Sequence, residues 1–138
     1  MPRNPIKLKI LTRIRRSSAS VFLRKDFSDL GNYEQVGRAL MKLVSERKIV
    51  RLGYGIYAQA RISQRTGQPI PVKPIPTVIR EALAKIRVRT TETAMEREAQ
   101  AGRTMQVPTG MSIGLARGER CRRKLGFNGR FATFETQS

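Results

Sequence analysis

Asn32-Tyr33-Glu34-Gln35-Val36-Gly37-Arg38-Ala39-Leu40-Met41-Lys42-Leu43-Val44-Ser45-Glu46-Arg47 runs directly into Lys48-Ile49-Val50-Arg51-Leu52-Gly53-Tyr54-Gly55-Ile56-Tyr57-Ala58-Gln59. The first part predicts a helix over Tyr33–Arg47. Asn32 suits the N-cap, and Gln35, three residues on, completes a capping box. Val36, Leu40, Leu43, Val44 and the stem of Arg47 fall on one side of the helical wheel. Glu34, Arg38, Met41, Lys42 and Ser45 fall on the other, with Gln35 on the flank. The second part holds two β-prone runs around a glycine-flanked Tyr54, which predicts a hairpin.

Upstream, Asn4-Pro5 provides an N-cap and a tolerated first-turn proline, and Ile6, Ile10, Leu11 and Ile14 recur at helical spacing. Val21-Phe22 fits a short strand. Arg24–Leu30 fits a short second helix, ended by Gly31. The order is helix, short strand, helix, tight turn, helix, hairpin, which is the order of a winged helix-turn-helix over residues 1–60. Downstream, residues 61–75 read as a Pro-rich linker, extended and semi-rigid around Pro69, Pro71 and Pro74.

Residues 76–138 then read as a small α+β domain. Helices are expected from about Thr77 to Ile86 and from about Thr91 to Ala101, and strands at Met105–Val107 and Met111–Leu115. The closing segment, Arg123–Glu135, centres on Asn128-Gly129, a strong hairpin signal. In that register Leu125, Phe127, Ala132 and Phe134 share the core side. The expected class is α+β: a winged helix-turn-helix followed by a small α+β domain with a C-terminal β-hairpin.

The 138 residues carry 28 Lys and Arg against 10 Asp and Glu, a formal net charge of +18. Residues 1–60 hold 13 basic and 4 acidic side chains and residues 61–138 hold 15 and 6, so each part is +9. So strong and even a charge favours a polyanionic partner. No apolar run reaches the ~20 residues of a membrane span. Charge also interrupts the apolar residues that follow the basic N-terminus, so a cytoplasmic protein without a membrane partner is expected. One cysteine, Cys121, excludes an internal disulfide, and the chain contains no histidine. No Ser-His or Cys-His nucleophile, histidine metal site or glycine-rich phosphate loop is available. Neither catalysis nor a cofactor is expected.

The Tyr33–Arg47 helix is the recognition-helix candidate, since a helix fits the major groove and its outer side chains reach base edges. Arg38 is central on the outer face, with Lys42 one turn later and Tyr33 and Gln35 near the start. Arg suits guanine and Gln suits adenine. The alternative is an ordinary solvated face. The hairpin adds Lys48, Arg51 and the tip residue Tyr54, which either contacts DNA or packs on a neighbouring loop. Arg13, Arg16, Arg24 and Lys25 are candidate phosphate contacts. The densest basic run, Arg120, Arg122, Arg123 and Lys124, is either a second phosphate contact or a charged strand edge. Cys121 within it reads as a passive thiol.

Val21-Phe22-Leu23-Arg24-Lys25-Asp26-Phe27, Val36-Gly37-Arg38-Ala39-Leu40 and Arg51-Leu52-Gly53-Tyr54-Gly55-Ile56-Tyr57 together resemble the N-terminal domain of AbiEi-type antitoxins. These belong to type IV toxin–antitoxin systems linked to abortive phage infection. Gly102-Arg103-Thr104-Met105-Gln106-Val107-Pro108 is similar to a segment of the shorter members. The resemblance implies a transcriptional regulator that binds operator repeats in duplex DNA and represses its own operon. It also implies a cognate nucleotidyltransferase-like toxin, countered without a stable complex. The DNA-contacting helix then maps to Tyr33–Arg47 and the wing to Arg51–Tyr57. Monomer and dimer on DNA both fit. Two other classes fit the charge: an RNA- or ribosome-associated basic protein, and a protein-interaction module with an acidic partner. The aromatic residues show no sequence clustering of the kind a single-strand stacking platform requires.

Overall fold

A computed structural model describes residues 5–103 and 111–137. The expected Asn4 cap and the Met105–Val107 strand lie outside the described residues, as does most of the 102–108 segment. Helix α1 spans Pro5–Arg16. Strand β1 (Val21–Leu23) and a single 3-10 turn (Arg24–Phe27) precede α2 (Tyr33–Ser45). Strands β2 (Ile49–Gly53), β3 (Ile56–Ile62) and β4 (Pro69–Pro71) follow, then α3 (Ile75–Lys85) and β5 (Thr90–Thr91). Helix α4 (Ala94–Gln100), β6 (Ser112–Leu115), β7 (Gly126–Phe127), β8 (Arg130–Phe131) and β9 (Thr133–Glu135) complete a mixed α+β chain.

The local signals act as their chemistry requires. The Asn32 side chain accepts from the Gln35 amide at 2.8 Å, and Gln35 Oε1 accepts from the Asn32 amide at 3.0 Å. Both bonds satisfy donors that the start of a helix leaves open. Arg47 adopts φ 64°, so α2 stops at Ser45 and the Arg47 side chain is exposed rather than part of the buried stripe. At the other hairpin, Asn128 (φ 55°) and Gly129 (φ 79°) both take the left-handed conformation that a two-residue turn between β7 and β8 demands.

The central sheet has the order β1-β3-β2, all antiparallel, and β4 extends it by pairing with the far end of β3. Alternate residues of these strands serve two different cores. Phe22, Ile49 and Tyr57 pack with Ile10 and Ile14 of α1, Phe27, and Val36, Leu40 and Leu43 of α2. Val21, Leu23, Val50, Leu52, Ile56 and Ala58 pack on the opposite face with Val78, Ile79, Ala82 and Leu83 of α3, joined by Ile113, Leu115 and Leu125. The sheet is thus buried on both faces, as the unbroken apolar run Val21-Phe22-Leu23 allows.

Three further expectations change. The segment Arg24–Leu30 forms one 3-10 turn rather than a short α-helix, because the Asp26 carboxylate accepts from the Leu23 amide at 2.8 Å and fixes a tight turn. Residues 61–75 do not stay extended and unpaired. They complete β3, turn at Gly67 and return as β4, whose prolines occupy a position where missing amide donors are tolerated. Helix α4 begins at Ala94, not Thr91, because Thr93 caps it by accepting from the Glu96 amide at 3.1 Å. Glu81 of α3 ties the α3 layer to the sheet, accepting from the Ser20 and Val21 amides at 2.7 Å each.

Candidate nucleic-acid interface

The inward stripe of α2 fixes what its outer face presents. With Val36, Ala39, Leu40 and Leu43 buried, Glu34, Arg38, Met41 and Lys42 are left exposed. The β2–β3 hairpin begins just beyond the end of this helix and brings Arg51 alongside its outer face. Arg24, Glu34, Gly37, Arg38, Met41, Arg51 and Tyr57 line an open groove of about 480 Å³ between helix and hairpin. Two expected site residues, Arg38 and Arg51, therefore line one groove. Lys42 is exposed on the same helix and Lys48 at the foot of the hairpin, outside the groove lining. Arg38, Lys42, Lys48 and Arg51 take part in none of the ion pairs among the described residues.

Tyr33 and Tyr54 bridge the start of α2 and the hairpin tip, their hydroxyls 2.9 Å apart. This hydrogen bond raises the Tyr33 hydroxyl above the usual phenol range. The Arg24 guanidinium lies 3.4 Å from the Tyr33 ring centroid and donates to the Tyr33 carbonyl. It also occupies the space that a side chain at position 37 would need, so Gly37 admits it against the helix. Arg24 thus positions the helix as well as lining the groove. Tyr54 packs and remains 69% exposed, so its ring is held in place yet open to a ligand.

The other candidates separate. Arg13 makes a forked pair with Asp29, 2.7 Å to Oδ1 and 2.8 Å to Oδ2, and also donates to the Asp26 carbonyl at 3.0 Å. Its guanidinium is committed within the fold. The same bond holds the Asp29 carboxyl down to about 2. Because that value is lowered, the pair is formed above the usual carboxylate range and lost as pH falls through about 2. In a carbon-detected NMR titration Asp29 should titrate near that value, and Arg13→Ala should return it toward the usual range of about 3.9. An unchanged Asp29 midpoint would contradict the pair. Gln35 is held by the cap, so reading adenine would require breaking a helix-start bond. Arg16, Lys25, Arg120 and Arg122 are exposed. Arg123 reaches back to the hairpin, its Nη1 donating to the Tyr54 carbonyl at 3.3 Å. Gly53 allows this approach, since a Cβ there would stand 2.8 Å from the Lys124 carbonyl oxygen.

Phe131 stands outside the charge and helix patterns that mark the other candidates. It is 51% exposed, with the Lys124 ammonium 5.7 Å from its ring centroid. The period-two register that turned Leu125 and Phe127 inward could have marked it, because Phe131 lies out of phase with Ala132 and Phe134. Glu92 precedes α4, and Glu96 supports the Thr93 cap and pairs with Arg80 at 3.1 Å. That cap hydrogen bond lowers the Glu96 pKa. Among the described residues no three His, Cys, Asp or Glu side chains are placed to hold a metal ion, and no helix is long and apolar enough to cross a membrane.

Fold and site thus define a mixed α+β protein with a cationic groove between an amphipathic helix and a β-hairpin. The chain belongs to the family of unknown function DUF6088, whose model matches residues 9–137. No curated protein and no solved structure matches it.

Proposed function

We propose that α1 through β3 form a winged helix-turn-helix that binds double-stranded DNA, with α2 as recognition helix and the β2–β3 hairpin as wing. The observation that carries this reading is the convergence of Arg38 and Arg51 on one open groove, with neither in an ion pair among the described residues. An arginine at the centre of an exposed helix face suits bidentate contact with guanine. The arginine beside it on the hairpin suits phosphate or the minor groove. The charge of +18 supports a polyanion generally, and a helix beside a hairpin suits the grooves of a duplex.

The narrower proposal is a transcriptional repressor acting as the antitoxin of a type IV toxin–antitoxin operon. It rests on the resemblance of the 21–27, 36–40 and 51–57 segments to AbiEi-type antitoxins. Its partners are then operator repeats and a nucleotidyltransferase-like toxin that it does not hold in a stable complex. The experiment is selection of a preferred duplex from a random pool, followed by titration of that duplex and a scrambled one. Arg38→Ala should weaken the preferred duplex by roughly 5- to 150-fold, the worth of one bidentate base contact of about 1–3 kcal/mol, and the scrambled duplex far less. Equal loss on both would remove Arg38 from base reading, and failure of any duplex to bind would end the proposal.

A further inference from the structure

The Asn128-Gly129 hairpin lies beside the β2–β3 hairpin, and together they form a second groove that shares Arg51 with the first. Arg51, Gly53, Tyr54, Lys124, Asn128 and Phe131 are prominent in its lining, and its volume is about 330 Å³. Two features set it apart from a solvated edge. Tyr54 and Phe131, 69% and 51% exposed, are brought to one groove from positions 77 residues apart. Each ring also has a cation beside it, Arg51 at 5.8 Å from the Tyr54 centroid and Lys124 at 5.7 Å from that of Phe131. Among the described residues no carboxylate contributes to the lining.

Exposed rings flanked by cations are what unpaired nucleotides require. A base stacks on an aromatic face whatever its identity, and the neighbouring cation meets its phosphate. Duplex DNA cannot use the rings in this way, because its bases are already stacked. We propose that this groove binds a single-stranded DNA segment continuous with the duplex on α2, one base stacking on Tyr54 and another on Phe131. Continuity between the grooves through Arg51 is the reason for choosing DNA: a strand leaving the duplex at the wing tip enters this groove directly. The proposal rests on the duplex reading for that continuity. The stacking groove itself is independent of it.

The test compares a blunt duplex, the same duplex with a short thymidine overhang, and the overhang sequence alone as DNA and as RNA. Binding is read by fluorescence anisotropy on the full chain. The overhang should tighten binding, and Phe131→Ala should abolish that gain while leaving the blunt duplex unchanged. Tyr54→Ala should weaken the overhang substrate by roughly 5- to 150-fold, from a stacking contribution of about 1–3 kcal/mol per base. The chain has no tryptophan, so Phe131→Trp supplies a sole reporter, whose emission should be quenched by the overhang. That variant keeps the stacking surface and controls for folding. Equal affinity for blunt and overhang duplexes overturns the proposal and leaves the duplex reading intact. Binding of the free strand with no binding of the blunt duplex removes the duplex reading and the continuity together. Preference for the RNA strand overturns the choice of DNA.

Discussion

A chain ending at residue 60 is expected not to fold, although it contains α1, α2, β2 and all but the last two residues of β3. The reason is the second face of the sheet. Val21, Leu23, Val50, Leu52 and Ile56 are buried against α3, Ile113, Leu115 and Leu125, all of which the cut removes. Exposing five aliphatic side chains costs about 1.5–3 kcal/mol each, comparable to the ~5–15 kcal/mol that holds a whole domain folded. The cut also removes Glu81, leaving the Ser20 and Val21 amides without the carboxylate that accepts from both. In the full chain, Leu83→Ala should cost about 2–5 kcal/mol and lower a single transition seen equally by probes in α2 and in the C-terminal half. Far-UV circular dichroism and amide NMR dispersion read the outcome. A well-dispersed, cooperatively melting 1–60 fragment would show that the α1–α2 core suffices.

Where structure is decided within a few residues, the sequence was legible. The Asn32–Gln35 box, the wheel of α2, the Tyr54-Gly55 turn and the Asn128-Gly129 turn all appear where their residue types require. The α+β class follows from the same signals. What stayed hidden depends on contacts made across long stretches of chain. The run Val21-Phe22-Leu23 is apolar at every position, which marks a strand covered on both sides, but nothing local identifies α3 as the second cover. Pro69 and Pro71 suggested a connector because proline lacks an amide donor, yet the residues of β4 still pair with Ala60–Ile62.

The candidate site divides in the same way. Arg38 and Arg51 were visible as outward positions on a helix and a hairpin, because burial of the opposite residues sets their direction. Arg13 has the same charge, and its exclusion depends on Asp29 meeting it from a different element. That Tyr54 and Phe131 share one groove was invisible for a related reason. The two residues lie on different hairpins, brought together by the close passage of Gly53 by the Lys124 carbonyl and by the Arg123 bond to the Tyr54 carbonyl.

Raising salt from 50 to 200 mM should weaken duplex binding by about 10³-fold if six phosphates are neutralised, because each contact releases condensed counterions. The structure indicates which side chains should set that slope. Lys42, Lys48 and Arg51 are exposed around the groove and form none of the ion pairs among the described residues. Replacing Lys42 or Lys48 by alanine should lower the slope of log affinity against log salt by about one and weaken all duplexes alike. Arg13→Ala should leave the slope unchanged, since that guanidinium already neutralises Asp29. Equal effects from Arg13 and Lys42 would mean that net charge alone drives binding. A salt-independent affinity would exclude phosphate contact altogether. A shallow slope abolished by Lys42→Ala but untouched by Arg120→Ala and Arg122→Ala would confine contact to the α2 face, with the basic loop before β7 left in solvent.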